Sequence, residues 1–103
     1  MSLRPKAAAT PGIRVAVAEP SFAQLQLVRE VLAGAGIEPC GIAATASAAL
    51  EVAARQRPQL LLLDAELAQH GSPALLASLR EAQPELPILL LCAPGRAGAA
   101  AAA

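Results

Sequence analysis

The sequence predicts an α/β fold, an open and doubly wound parallel sheet with helices on both faces. Three observations predict it. Two apolar runs, Leu60-Leu61-Leu62-Leu63 and Ile88-Leu89-Leu90-Leu91, lack the in/out alternation of a half-exposed strand and read as strands buried on both faces. Strand and helix signals alternate from residue 13 onward at the spacing of right-handed crossover units. Phe22 is the sole aromatic residue, so the core consists of Leu, Val, Ile and Ala, which suits helices lying closely on a sheet.

Each element has a local reason. Residues 13–18, Ile-Arg-Val-Ala-Val-Ala, form a first strand rich in β-branched positions. Ser21 stands three residues before Gln24, a capping-box pattern that opens a first helix. Leu25, Val28 and Leu32, with Val31 beside them, give that helix its apolar stripe, and Gly34 and Gly36 suit its carboxyl end. A short second strand falls within residues 37–43. Pro39 removes one ladder donor there, which assigns the strand to a sheet edge.

Thr45 or Ser47 caps a second helix, in which Leu50, Ala53 and Ala54 face inward and which Pro58 ends. The leucine strand follows, closed by Asp64. Ser72 and Pro73, cap then first turn, start a third helix carrying Leu75, Leu76 and Leu79. Pro84 and Pro87 bracket the turn into the last strand, residues 88–92. That strand is apolar on both faces, like an interior strand, yet no further strand pattern follows. Either a fifth strand is missing or another molecule covers the edge, so self-association as a homodimer is expected.

Composition bounds the function. A chain of 103 residues supports one domain. The division is an arm over residues 1–12, a folded unit over 13–94, and a Gly/Ala-rich tail over 95–103. Eight basic and eight acidic side chains balance, leaving no basic field for direct nucleic-acid binding or for an anionic membrane. No apolar run approaches the roughly 18 residues that span a bilayer, and no hydrophobic signal core follows the basic start Arg4-Pro5-Lys6. Cys40 and Cys92 match no metal or redox spacing and are expected as free thiols of a cytoplasmic protein.

The chemistry centres on two carboxylates. Glu19 and Asp64 end the first and third strands, which are neighbours in a sheet ordered 2-1-3-4, and open α/β sheets bind ligands at that end. Together they suit one hard divalent cation such as Mg²⁺, and an aspartate beside Mg²⁺ is a nucleophile toward phosphorus. The plain alternative is that Asp64 only caps or terminates its strand. His70 reads as a solvated loop residue, and Cys92 as an inert thiol without a histidine partner. A small α/β enzyme or nucleotide-binding domain would need a glycine-rich phosphate loop or a nucleophile–base pair. Gly34-Ala35-Gly36 follows a helix instead of a strand and supplies neither.

Three segments carry a resemblance: Arg14-Val15-Ala16-Val17-Ala18-Glu19-Pro20-Ser21-Phe22, Arg57-Pro58-Gln59-Leu60-Leu61-Leu62-Leu63-Asp64, and Leu86-Pro87-Ile88-Leu89-Leu90-Leu91-Cys92-Ala93. In order and spacing, residues 13–94 resemble the receiver domain of bacterial two-component response regulators. The match spans four of that family's five β/α units. The resemblance implies a flavodoxin-like fold whose fifth unit is missing or unresolved. It makes Asp64 the phosphoacceptor, Glu19 and Asp64 side-chain ligands of Mg²⁺, and Glu66 a ligand through its backbone carbonyl. Cys92 falls at the switch position that senses the phosphoryl group.

Several residues depart from the family pattern. Pro20 stands where the second acid belongs, which weakens Mg²⁺ binding. Cys92 replaces a hydroxyl, and its thiol is the poorer donor. No lysine follows Lys6. Ala68 replaces a proline and Ser72 a glycine. The chain resembles a degenerate receiver, a non-enzymatic signalling module acting by protein–protein interaction. The alternative is a conventional Mg²⁺-dependent phosphorelay receiver controlling a DNA-binding, helix-turn-helix output in transcription regulation. Implied partners are a sensor histidine kinase or other signalling protein and an attached or separate output domain.

Overall fold

The computed structural model describes residues 12–71 and 74–92, apart from the side chains of residues 70 and 71. The expected arm up to residue 11 and the tail from 95 fall outside them, as do Ser72 and Pro73, assigned to a helix start. Four strands, β1 (Val15–Ala18), β2 (Gly41–Ala43), β3 (Leu60–Asp64) and β4 (Ile88–Leu91), form one sheet ordered β2-β1-β3-β4. All three pairings are parallel. Helices α1 (Phe22–Gly34), α2 (Ala46–Gln56) and α3 (Leu75–Ala82) connect them.

The alternation of side chains along each strand sorts the core into two layers. Val15, Val17 and Leu62 point to the α1 side, where Leu25, Val28 and Leu32 meet them. Ala16, Ala18, Leu61 and Leu63 point to the other side, against Ala49 and Ala53 of α2 and Leu75 and Leu79 of α3. Alanine facing alanine lets α2 lie close to the sheet. Gly41 takes this furthest: a Cβ there would stand 2.6 Å from the Val52 Cγ1 atom.

The helix ends follow their local chemistry. The Ser21 hydroxyl accepts from the Gln24 N–H at 3.2 Å, the first half of the expected capping box. Ser21's own N–H goes to Glu19 instead of to the Gln24 side chain. At the other end, Ile37 N–H bonds the Leu32 carbonyl and Gly36 N–H the Ala33 carbonyl, both on the paired pattern of a Schellman motif. Gly36 adopts the left-handed conformation (φ 79°) that this motif requires. Of the two candidate caps for α2, Thr45 serves, accepting from Ala48 N–H at 3.1 Å. Pro39 lies before β2 and so takes no donor from its ladder.

Four expectations need correction. Val31 is 74% exposed, because it lies on the flank of α1 away from the Leu25–Val28–Leu32 stripe. Ala54 is exposed while Ala49 is buried, so the inward stripe of α2 runs through Ala49 and Ala53. Leu89 is 54% exposed, so β4 is apolar on both faces without being covered on both among the described residues. Finally, the stretch after Asp64, read as a loop, is helical from Ala65 and continues as a π-helical turn over Leu67–Gly71. Leu67 anchors it in the α2–α3 core, where it is 7% exposed.

Candidate phosphoacceptor site

Parallel pairing puts the carboxyl ends of β1, β3 and β4 side by side. Ala18 is opposite Leu63, so the next residue of each strand, Glu19 and Asp64, stands at the same mouth of the sheet. Asp64 is in turn opposite Leu91, which places Cys92 just beyond at that end. Glu19 continues the sheet, its N–H bonding the Ala43 carbonyl at 2.8 Å. Both carboxylates are nearly sealed from solvent, at 2% and 7% exposure, and they are the buried charged residues of the described chain.

The two acids are held in the same way. Glu19 Oε2 accepts the Ser21 N–H at 3.1 Å, and Asp64 Oδ1 accepts the Glu66 N–H at 2.6 Å. Each carboxylate thus folds back onto the amide two residues on, as aspartates do in Asx turns, and opens the helical turn that follows its strand. This leaves Glu19 Oε1 buried with no hydrogen-bond partner among the described residues.

An isolated charge in such a place is unfavourable. Burial, first, pushes the Glu19 carboxyl up from 4.5 to about 7. The adjacent Asp64 carboxylate and the charge of Glu66 add to the rise, against the opposing Ser21 N–H. Protonation of Glu19 is one way to relieve that conflict.

A hard cation is the other way to neutralise the pair. Oxygen donors, a buried unsatisfied Oε1 and two adjacent carboxylates fit Mg²⁺. The side-chain ligand set stops at two. Pro20 presents exposed hydrocarbon, and no cluster of three His, Cys, Asp or Glu side chains suited to a metal exists among the described residues. Glu66, expected to lend its carbonyl, lies in the first helical turn after Asp64. Cys92 is a half-buried free thiol that lines an apolar groove of about 480 Å³ together with Leu91, Leu89, Leu27 and Val31. His70 falls within the π-helical turn.

Sequence reasoning found both acids but missed how their oxygens are engaged. The Asp64-Ala65-Glu66 stretch carried a signal, since an aspartate is prone to accept from the amide two residues on. Nothing local foretold the π-helical turn, because Leu67 and Ala68 are drawn inward by contacts with α2 and α3.

The family model of the response regulator receiver domain matches residues 15–103. A search of curated protein sequences finds no match. Among solved structures, the chain is similar to the receiver domain of the response regulator PhyR from Erythrobacter litoralis. That likeness has a TM-score of 0.67 and 23% identity, over 85% of this chain and 68% of that one. It is similar to the receiver domain of a modulated diguanylate cyclase from Desulfovibrio desulfuricans, with TM-score 0.69 and 22% identity, over 82% and 67% of the two chains. The anti-anti-sigma factor PhyR from Bartonella quintana aligns with TM-score 0.64 and 20% identity over 84% of this chain. Only 36% of the Bartonella chain is covered. Identities this low speak for the fold, and the 2-1-3-4 parallel sheet agrees. With the family model spanning most of its length and Asp64 at the end of β3, the chain belongs to the response regulator receiver family.

Proposed function

We propose that this receiver passes a signalling state to an attached or separate output by protein–protein contact, with phosphorylation at Asp64 a secondary capacity. The observation that carries this reading is the incomplete carboxylate site. Glu19 and Asp64 are buried together, yet Pro20 adds no third acid and Cys92 brings a thiol where a hydroxyl would sense the phosphoryl group. Mg²⁺ bound by Glu19 and Asp64 would supply charge neutralisation at Asp64. The chain's own contribution is to hold both acids by backbone amides and to keep water from them.

Input from a sensor histidine kinase or another signalling protein fits the family. One structural relative, PhyR from Bartonella quintana, is named as an anti-anti-sigma factor, and a protein partner of that regulatory kind suits this chain better than nucleic acid, given its balanced charge. A non-enzymatic role in the cytoplasm is part of the proposal. Incubation with a small acyl phosphate and Mg²⁺, followed by intact mass measurement, tests it. The expected result is little or no adduct. A stable phosphoryl adduct that disappears in Asp64→Ala would establish the second reading, a conventional phosphoacceptor controlling a DNA-binding output.

That second reading has its own support in the adjacency of Glu19 and Asp64 and the orphaned Oε1. A nucleotide-binding role is the weaker alternative. The turn after β1 reads Glu19-Pro20-Ser21, with no glycine-rich cradle for phosphates.

A further inference from the structure

We propose that cation binding at the carboxylate pair and helical closure of residues 65–71 exclude one another, so that the turn after β3 acts as a built-in competitor of the metal. The inference rests on the reading of Glu19 and Asp64 as a cation site. Asp64 Oδ1 is engaged by the Glu66 N–H at 2.6 Å, a charge-assisted bond that opens the helical segment. Glu66 lies in the first turn of that segment, where helical geometry commits its carbonyl to an amide further along. One of the two Asp64 carboxylate oxygens and, by helical geometry, the Glu66 carbonyl are therefore engaged in one piece of structure, and it is the carbonyl that must turn back toward the strand end to meet a cation.

Electrostatics point the same way. The amino-terminal end of a helix carries partial positive charge, which favours the Asp64 carboxylate as cap and disfavours a cation beside it. Glu19 needs no such change. Its Oε2 is held by Ser21 on the separate turn into α1, and its Oε1 is already free of any partner among the described residues. Only the Asp64 side must rearrange.

The segment is suited to give way. It continues as a π-helical turn, a form seen in single turns and frequent at functional sites. It is nevertheless docked, through buried Leu67, against Leu75 and Leu79 of α3 and the α2 layer. Unwinding it to release Asp64 Oδ1 and the Glu66 carbonyl would loosen that contact. Occupancy of the acidic site is thereby read out on the α2–α3 face.

The test pairs Mg²⁺ titration calorimetry with amide hydrogen exchange on the full chain, wild type and Gln69→Gly. Weakening the helical segment with glycine should tighten Mg²⁺ binding, by up to about fivefold, because a larger fraction of molecules is already competent. Mg²⁺ should also speed exchange over residues 65–71 while leaving β1 and β3 unchanged. Without Mg²⁺, Asp64→Ala should speed exchange over the same residues, and Asp64→Asn, which keeps an acceptor oxygen, should do so less. Binding of Mg²⁺ with exchange over 65–71 unchanged or slowed overturns the proposal, as does unchanged or weaker binding in Gln69→Gly. Absence of Mg²⁺ binding in both proteins, with Asp64→Ala still loosening the segment, would instead overturn the cation-site reading and the competition with it.

Discussion

Glu19 is where burial and charge conflict most openly. Its carboxyl titrates at about 7 in the folded chain against 4.5 ordinarily, so the folded state binds a proton that the unfolded chain releases between those values. The associated stability is fully present below pH 4.5 and is lost as pH rises through 7. Without metal, the protein should be less stable at pH 8 than at pH 5, by at most about 3 kcal/mol from this group. Urea midpoints at the two pH values measure this. Glu19→Gln, which cannot ionise, should flatten the dependence and be the more stable protein at pH 8. Equal slopes in the two proteins would show that Glu19 does not carry the effect. Gly41 makes a second residue-scale case. Gly41→Ala drives a Cβ into the Val52 Cγ1 atom at 2.6 Å and should cost about 1–3 kcal/mol, measured by thermal unfolding. Val52→Ala should make that substitution cheaper, since it removes the atom in the way.

At the scale of elements, the junctions that follow β1 and β3 are each built from one acid and the amide two residues on. Ser21 links the two functions, because its hydroxyl caps α1 while its N–H holds Glu19. Ser21→Ala should lower stability by about 1 kcal/mol in urea unfolding, with Ser21→Asp retaining most of it as an alternative cap. Thr45→Ala should cost a similar amount, since Thr45 Oγ1 caps α2. These caps were legible beforehand because a cap is a matter of residue type and spacing over three or four positions. The π-helical turn was not, because it depends on Leu67 reaching a pocket made by α2 and α3, far along the chain. The same reason explains Ala54 and Val31. Apolar type said that they belong to a stripe, but the angle at which each helix meets the sheet decided which neighbours were buried.

Across the whole molecule the two faces of the sheet are unequal. On one side α2, α3 and the π-helical turn cover the strands. On the other, α1 leaves an apolar groove of about 480 Å³ whose walls include exposed Leu27, Val31 and Leu89. Among the described residues β4 pairs with β3 alone, so apolar side chains and an edge of backbone groups lie together. Concentration-dependent self-association is expected by light scattering, and Leu89→Lys should suppress it by placing a charge on that face. A clean monomer of the wild type at high concentration would count against the edge as an association surface.

The sequence by itself determined the alternation of strands and right-handed crossover helices, the caps, the Leu–Val–Ile–Ala core and an acid at the end of each of β1 and β3. Those follow from periodicity, turn chemistry and crossover handedness, all readable along the chain; the strand order was what the family resemblance implied. Only the tertiary structure decided that Glu19 keeps one oxygen unsatisfied, that Asp64 is spent on capping the turn after it, and that this turn is docked between α2 and α3. Those facts arise from burial and from contacts between residues distant in the chain.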